Sequence, residues 1–503
     1  MDTLKATPWT WIFLAFALVD CSIRTPNLNN ADTKEAPRVD RISVRDKWLI
    51  DSDGRVRIFH GINSVQKSFP WYDERLLNET RLQYFEKWGL NTVRLGMMWA
   101  GLEPSEGALN QTYMNIMQDI VKKLKKYGLY SLLDMHQDVI SSAFDAYDGI
   151  PLWLVKKFPK PRNPYPWPLK KLMTWGEGYI TEAVGETFQH LYKNTSGALD
   201  YMSNFWVNVA KVFRNETGVI GYEIINEPWA GDIFKDPELL VPGHAGEKNL
   251  LPVYDVINEA IRKVDNHTLL FYEPVTWGIY FNGNITGTGF SRVPGGEKYT
   301  NLSVLSYHYY CWILTDEDSH RPIPFFKKVL CADLMIPQAF KQVLTDIKKT
   351  GGSAFLTEFG GYNIDGLDTT PAQQDIRVMS HADTNFQSWM FWASDFFTND
   401  GHIKWDTVKI FSRTYARAIA GIPTDMYYDI YTGFFTLSFD QNPAIKSPTE
   451  IFLPYFKYPN GPKISVTSGF SATFDQKTSI VSIKLVSNVL NGMVACRIVI
   501  EPK

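Results

Sequence analysis

Between residues 57 and 394 the chain alternates short, nearly continuous apolar runs with longer amphipathic stretches. The runs are RIFHGIN at 57–63, NTVRLGM at 91–97, LYSLLDMH at 129–136, VIGYEIINEP at 219–228, TLLFYEP at 268–274, SVLSYHYY at 303–310, SAFLTEFG at 353–360 and SWMFWAS at 388–394. Apolar positions without alternation are what a parallel sheet covered on both faces requires. Helices are predicted between them, as in RLQYFEKWG, YMNIMQDIVKKLKKYG and AFKQVLTDIKKTGG, each closed by the glycine that ends a helix. Strand and helix repeated eight times predict an α/β fold, a (β/α)8 TIM barrel. The long stretches after the third, fourth and sixth runs are read as oversized loops at the active face. From about Tyr427 the period changes to two in YTGFFTLSFD, EIFLPYF, KISVT, FSATFD, TSIVSIKLVS and MVACRIVIE, which predicts a C-terminal antiparallel β-sandwich domain. The expected division is a signal segment at 1–21, a polar leader at 22–40, the barrel at 41–425 and the sandwich at 426–503. The sandwich is read either as a ligand-binding module or as a structural appendage packed on the barrel.

Composition adds little to this pattern until the aromatic residues are counted. Of 503 residues, 51 are basic and 54 acidic, so the net charge of −3 leaves no electrostatic footprint for nucleic acid. Aromatic residues make up 14%, with 16 Trp and 25 Tyr, more than a core normally needs. Such rings fill large cores, and they also line sugar and lipid sites, because a flat apolar face covers the C–H face of a pyranose.

The N-terminus carries Lys5, an apolar run from Trp11 to Val19, and Val19-Asp20-Cys21, which suits signal-peptidase cleavage after Cys21. The run is too short for a membrane span, so secretion is expected, to the cell exterior or the lumen of the secretory or endolysosomal pathway. Sequons at Asn78, Asn110, Asn194, Asn215, Asn266, Asn284 and Asn301 fit that route as glycosylation sites. With Cys21 removed, Cys311 and Cys331 are the natural disulfide pair, and Cys496 in MVACRIVI reads as an inert core thiol. No Cys/His cluster has zinc spacing and no glycine loop would cradle phosphate, so neither a metal nor a cofactor is expected.

In a barrel of this kind the chemistry sits at the C-terminal ends of the strands, so polar residues closing apolar runs are the places to look. The second run carries Arg94, and the third ends in Asp134, His136 and Asp138. The fourth ends Asn226-Glu227-Pro228, the sixth His308-x-Tyr310, and the seventh carries Glu358; Trp392 lies in the eighth. Two glutamates at one end of opposed strands are what glycoside hydrolysis needs: one carboxylic acid to protonate the leaving oxygen, one carboxylate to attack the anomeric carbon. Glu-Pro at a strand end is also a common turn, and His308 could be a satisfied core histidine.

With these residues in place, the chain resembles the clan-A glycoside hydrolases of family 5, over the whole barrel. The resemblance implies Glu227 as general acid/base and Glu358 as nucleophile, with Asn226 on the sugar 2-hydroxyl. It implies that Arg94 and Tyr310 hold and polarise Glu358, that His136 and His308 line the −1 subsite, and that Trp392 forms its stacking floor. GINSVQK with Lys67, DMHQD with Asp138, GYEIINEPWAG and the terminal sandwich are similar to the endoglycoceramidases. That likeness implies Lys67 and Asp138 on the glucose hydroxyls, Trp175 of MTWGEGY stacking on sugar, and a glycosphingolipid cut between its oligosaccharide and ceramide with retention.

The loops bear on the lipid independently. Phe69 to Tyr72, IPLWLVKKFP at 150–159 and PYPWPLKKLM at 164–173 are unusually apolar for solvent-facing connections. They could form an aglycone channel, rest on a membrane or micelle surface, or pack on one another as a lid. Two other readings stay open: another family 5 hydrolase, such as a β-glucanase, mannanase or glucosylceramidase, and a non-catalytic glycolipid-binding protein.

Overall fold

The computed structural model describes residues 39–145, 148–276, 287–311, 329–360, 366–367, 370–393, 396–486 and 492–503. The expected signal segment, the leader as far as residue 38 and the sequon Asn284 lie outside the described residues.

Eight parallel strands close into a barrel: β1 (His60–Ser64), β2 (Thr92–Gly96), β3 (Tyr130–Asp134), β4 (Val219–Glu223), β5 (Leu269–Tyr272), β6 (Ser303–Tyr309), β7 (Ser353–Phe359) and β8 (Ser388–Phe391). All eight apolar runs contain a strand, and β1 to β5 are buried at every position because helices cover the outside and side chains fill the inside. The barrel interior is packed by residues such as Phe59, Leu132, Ile220, Phe271 and Phe355, and Ile42, Val44 and Leu49 join the same cluster. Val39 and Asp40, expected in the leader, belong to this packing: Val39 is buried and Asp40 N–H donates to Tyr130 Oη at 3.0 Å.

Helix endings follow the glycine signal. Behind the helix Glu79–Lys87, Gly89 takes φ +81°, and Leu90 N–H donates to the carbonyl of Phe85 at 3.0 Å, closing the last turn. A Cβ at Gly89 would meet the ring of Phe452 at 2.3 Å, so packing demands glycine there as well.

The first strand starts later than the apolar pattern suggests. Val56–Arg57 pairs antiparallel with Ile419 and Ala418, and Ile58 N–H donates to the Arg417 carbonyl at 3.3 Å, so the start of that run belongs to another sheet. This second sheet has seven strands in the order 43–45, 48–50, 56–57, 415–419, 449–452, 480–485 and 470–475. A four-stranded sheet, ordered 421–428, 435–441, 494–502 and 462–466, completes the C-terminal region. Their pairings are antiparallel, with Ile451, Val481 and Ile483 buried in one sheet and Leu437, Ile498 and Ile500 in the other. The expected division between residues 425 and 426 falls inside the strand Gly421–Tyr428. Period two is weak there, because Pro423 interrupts the pattern at a register shift.

Beside this sheet, His60 of β1 stacks on Trp389 at 4.2 Å and on Tyr415 at 3.6 Å. Its Nε2 lies 3.2 Å from Asp383, which also accepts from Arg413 Nη2 at 2.9 Å. Cys311 and Cys331 form a disulfide that ties the end of β6 to the turn before the helix Ile336–Thr350, which fits an oxidising compartment. Cys496 is free and buried, and burial pushes its thiol up to about 12. Among the described residues, no helix is long and apolar enough to cross a membrane.

Candidate active site

Polar side chains from six of the eight strands, and from the loops that follow them, converge at one end of the barrel. Arg94 of β2 is the hub. Fully buried, it donates from Nη1 to Glu358 Oε2 (3.0 Å) and Asn63 Oδ1 (3.1 Å), and from Nη2 to Asn226 Oδ1 (2.8 Å). It also pairs with Glu223 through Nε, and its Nη2 reaches Asp134 at 3.2 Å and Glu273 at 3.3 Å. One guanidinium thus stands among four carboxyl groups, and burial, then the charge of Glu223, push one of them, Glu273, well above the usual carboxylate range.

The two glutamates have different surroundings. Glu358, on β7, accepts from Arg94 at Oε2 and from Tyr310 Oη at Oε1 (2.8 Å), so a donor holds each of its oxygens. Glu227 follows β4 and meets His308 Nδ1 at 2.8 Å. Burial, reinforced by the charge of Asp138, pushes the Glu227 carboxyl up to about 7. Oxygens of Glu227 and Glu358 lie with His308 Nδ1 inside a cluster whose members are all within 4.8 Å of one another. Burial brings His308 down to about 4, so the ring between the two carboxyl groups is neutral near pH 7. Glu227 has φ 40°, the left-handed region, which costs a residue with a Cβ about 1–3 kcal/mol and is held by its surroundings.

A second group faces the same space. Lys67 Nζ sits 2.5 Å from Asp138 Oδ2 and 4.7 Å over the Trp392 ring, and that ring stacks on His136 at 5.5 Å with 13° between planes. His136 Nδ1 meets Asp134 Oδ2 at 2.7 Å. Burial opposes the charged ring, but Asp134 and Asp138 outweigh it and push His136 up to about 10. The flat wall of Trp392 beside a cation and a carboxylate is a surface that can both stack on a pyranose and bind its hydroxyls.

Asn226 is committed on two sides: Oδ1 to Arg94, and Nδ2 to the Gln137 carbonyl at 2.9 Å, leaving one amide hydrogen. Trp175 is exposed at the start of the turn Trp175–Ile180, edge-on to the buried Tyr179 at 6.2 Å; Tyr179 Oη in turn accepts from Gln137 Nε2 at 3.0 Å. Asn78 and Asn110 cap helices, their side chains accepting from Thr80 and Tyr113 N–H. Asn194, Asn215, Asn266 and Asn301 are exposed.

Sequence reasoning passed over Glu273, Asp148, Gln137 and Asn63. Glu273 was the visible one, since it closes the fifth run as Glu273-Pro274, just as Glu227-Pro228 closes the fourth. Asp148 sits in the loop after β3, where its backbone carbonyl accepts from Asp138 N–H at 3.3 Å. Three groups of side chains are close enough to chelate: His136, Asp138 and Asp148; Glu223, Glu273 and His308; Glu227, His308 and Glu358. In each, a protein cation already meets a carboxylate, Lys67 in the first and Arg94 in the others.

The family model described as cellulase (glycosyl hydrolase family 5) matches residues 51–397, and that of the glycoside hydrolase family 5 C-terminal domain matches 413–500. The chain belongs to glycoside hydrolase family 5. Among family relatives, it is 37% identical to an endoglycoceramidase of Cyanea nozakii, over 92% of this chain and 94% of that protein. It is 36% identical to one of Hydra vulgaris, over 91% and 90%. Endo-glycoceramidase II from a Rhodococcus species, solved as a ganglioside GM3 complex, shares the fold with a TM-score of 0.74 at 23% identity, covering 91% of this chain and all of that one.

Proposed function

We propose that this family 5 enzyme is a retaining endo-glycosidase that cleaves the β-glucosyl linkage between the oligosaccharide and the ceramide of glycosphingolipids. The observation that carries the mechanism is the close pair of unlike glutamates. Oxygens of Glu227 and Glu358 fall within 4.8 Å, in keeping with the roughly 5–5.5 Å separation of retaining enzymes and short of the roughly 6.5–9.5 Å that leaves room for water in inverting ones. Glu358, facing a guanidinium and a phenol, is the nucleophile on the glucose anomeric carbon. Glu227, protonated up to about pH 7, gives its proton to the ceramide oxygen. The ceramide leaves, and Glu227, now a carboxylate, takes a proton from the water that attacks the glycosyl-enzyme and restores Glu358.

The remaining side chains position the sugar. Trp392 is the floor under the glucose ring, Lys67 and Asp138 bind its hydroxyls, and His136, held by Asp134, lines the same wall. Asn226 offers its free amide hydrogen to the 2-hydroxyl, and Trp175 extends the sugar path at the loop surface. The substrate class is supported by the curated relatives, both named endoglycoceramidases, which match over nearly their full length. It is supported also by the loops after β1 and β3, which leave Phe69 84%, Met173 74% and Trp167 40% exposed. Such rings and chains suit a lipid aglycone and transient contact with the micelle or membrane that holds it. The enzyme works outside the cytosol, in the cell exterior or the lumen of the secretory or endolysosomal pathway, with glycans on the exposed sequons.

Lactosylceramide in detergent micelles tests the reading. Intact lactose and free ceramide are expected, with the β-anomer of lactose appearing first by NMR. Galactose released ahead of glucose would mark an exo-enzyme, and binding without release would mark a glycolipid-binding protein.

A further inference from the structure

Glu273 touches each part of the acid/base apparatus without facing the sugar-binding wall. It is the first residue after β5, 3% exposed, and the hydroxyl of Tyr254 fixes its backbone by donating to its carbonyl at 2.8 Å. Its Oε2 accepts the backbone N–H of Glu227 at 3.1 Å, at the residue whose φ lies in the left-handed region. Its Oε1 lies 3.4 Å from His308 Nε2 and 3.3 Å from Arg94 Nη2. His308 turns its other nitrogen to Glu227, and Arg94 holds Glu358.

We propose that Glu273 is a positioning residue of the acid/base: its carboxyl holds the Glu227 backbone and sets which nitrogen of His308 carries the hydrogen. The inference rests on Glu227 being the acid/base. Titratable and charged groups face Glu273 from four strands: Arg94 of β2, Asp134 of β3, Glu223 and Glu227 of β4 and its following turn, and His308 of β6. Burial, and then Glu223, push its carboxyl well above the usual range, so it holds its proton. Since Oε2 accepts from Glu227 N–H and Arg94 is only a donor, the nearest acceptor for the hydrogen on Oε1 is His308 Nε2, 3.4 Å away and without a hydrogen-bond partner among the described residues. His308 then carries its own hydrogen on Nδ1 and donates it to Glu227 Oε1. The acid proton of Glu227 is thereby left on Oε2, free for the departing glycosidic oxygen. The other tautomer would draw that proton toward the ring.

Glu273→Leu and Glu273→Gln separate this role from a structural one. The amide keeps an acceptor for Glu227 N–H and a donor for His308 Nε2; the leucine keeps neither. With lactosylceramide, whose alkoxide is a poor leaving group, E273L is expected to lower kcat/KM about 100-fold, the scale of general-acid catalysis. With 2,4-dinitrophenyl β-lactoside, which forms the glycosyl-enzyme without needing a proton, kcat/KM is expected to fall less than about fivefold. E273Q is expected to recover at least about tenfold of the loss on the lipid. An equal loss on both substrates, or no recovery by the amide, overturns the proposal. If E273L does not fold, the pH profile of E273Q decides: an alkaline limb within about half a pH unit of wild type supports a neutral Glu273, and a shift above about one unit overturns it. Glu227→Ala run in parallel tests the underlying reading separately, because without leaving-group dependence there the acid/base assignment itself fails.

Discussion

Tyr310 Oη donates to Glu358 Oε1 across 2.8 Å, on the oxygen that Arg94 leaves open. A hydrogen bond to a charged acceptor is worth about 1.5–3 kcal/mol. Tyr310→Phe should therefore lower kcat about 10–100-fold with little change in KM, measured on lactosylceramide micelles. Glu358→Gln removes the nucleophile and should leave no measurable turnover. Activity of E358Q near the wild-type level would remove Glu358 from the mechanism.

Glu227→Ala separates the two half-reactions. Cleavage of lactosylceramide should fall by about 10²–10⁴, while 2,4-dinitrophenyl β-lactoside should still form the glycosyl-enzyme. Azide should then accelerate turnover of the aryl substrate and yield β-lactosyl azide, seen by mass spectrometry and NMR. An α-azide product would contradict retention.

The pH profile follows from the state of Glu227. Its carboxyl, pushed up to about 7 by burial, must be protonated for the first step, so kcat/KM should decline as pH rises through about 7. In E227A with the aryl lactoside that decline should disappear. A limb that persists would assign the titration to another group.

Asp148 offers a pH test of stability rather than rate. Burial, with repulsion from Asp138, pushes it up to about 7. Between about pH 4 and 7 the unfolded chain loses this proton while the folded chain keeps it, so folding takes up a proton and stability falls as pH rises. Asp148→Asn removes the titration. Its Tm should exceed wild type at pH 8 by a few degrees, at about 1 °C per kcal/mol for a chain of this size, and the gap should close by pH 4. A gap that is the same at both pH values would show that Asp148 does not titrate in this range.

Asp383 is the carboxylate partner of fully buried Arg413 and lies 3.2 Å from His60. Asp383→Ala strands the guanidinium in the interior and should cost about 3–5 kcal/mol, read from the urea midpoint. A change below about 1 kcal/mol would mean that water reaches Arg413.

How much of this was legible depended on how local each signal is. The eight barrel strands are continuous apolar runs because both their faces are covered, a pattern contained within each run. Glu227 and Glu358 stood out because a charged residue inside or just beyond such a run is costly without a purpose. Glu273 carries the same mark, but what distinguishes it is contact with Glu227 N–H and His308, residues 46 and 35 positions away. Asp148 acts from an irregular loop where neither periodicity nor a motif flags it, and Gln137, inside DMHQD, is a neutral amide between residues whose charge drew the attention. Strands 43–45, 48–50 and 56–57 are too short to show a period, and residues 56–57 find their partner only at 418–419.

That last pairing has a consequence for synthesis. Arg57 leaves the ribosome 361 residues before its partner Ala418, and at about 5–20 residues per second the delay is roughly 20–70 s. Throughout it, the edge of strand 56–57 that Ala418 and Ile419 will cover is an open template, and all eight barrel strands are synthesised before the sheet that flanks them is complete. The N-terminal strands are therefore among the first to emerge and among the last to be secured. A ribosome stalled before residue 415 would hold a nearly finished barrel with an unguarded edge, the form of the chain most exposed to capture by a chaperone or by another nascent copy.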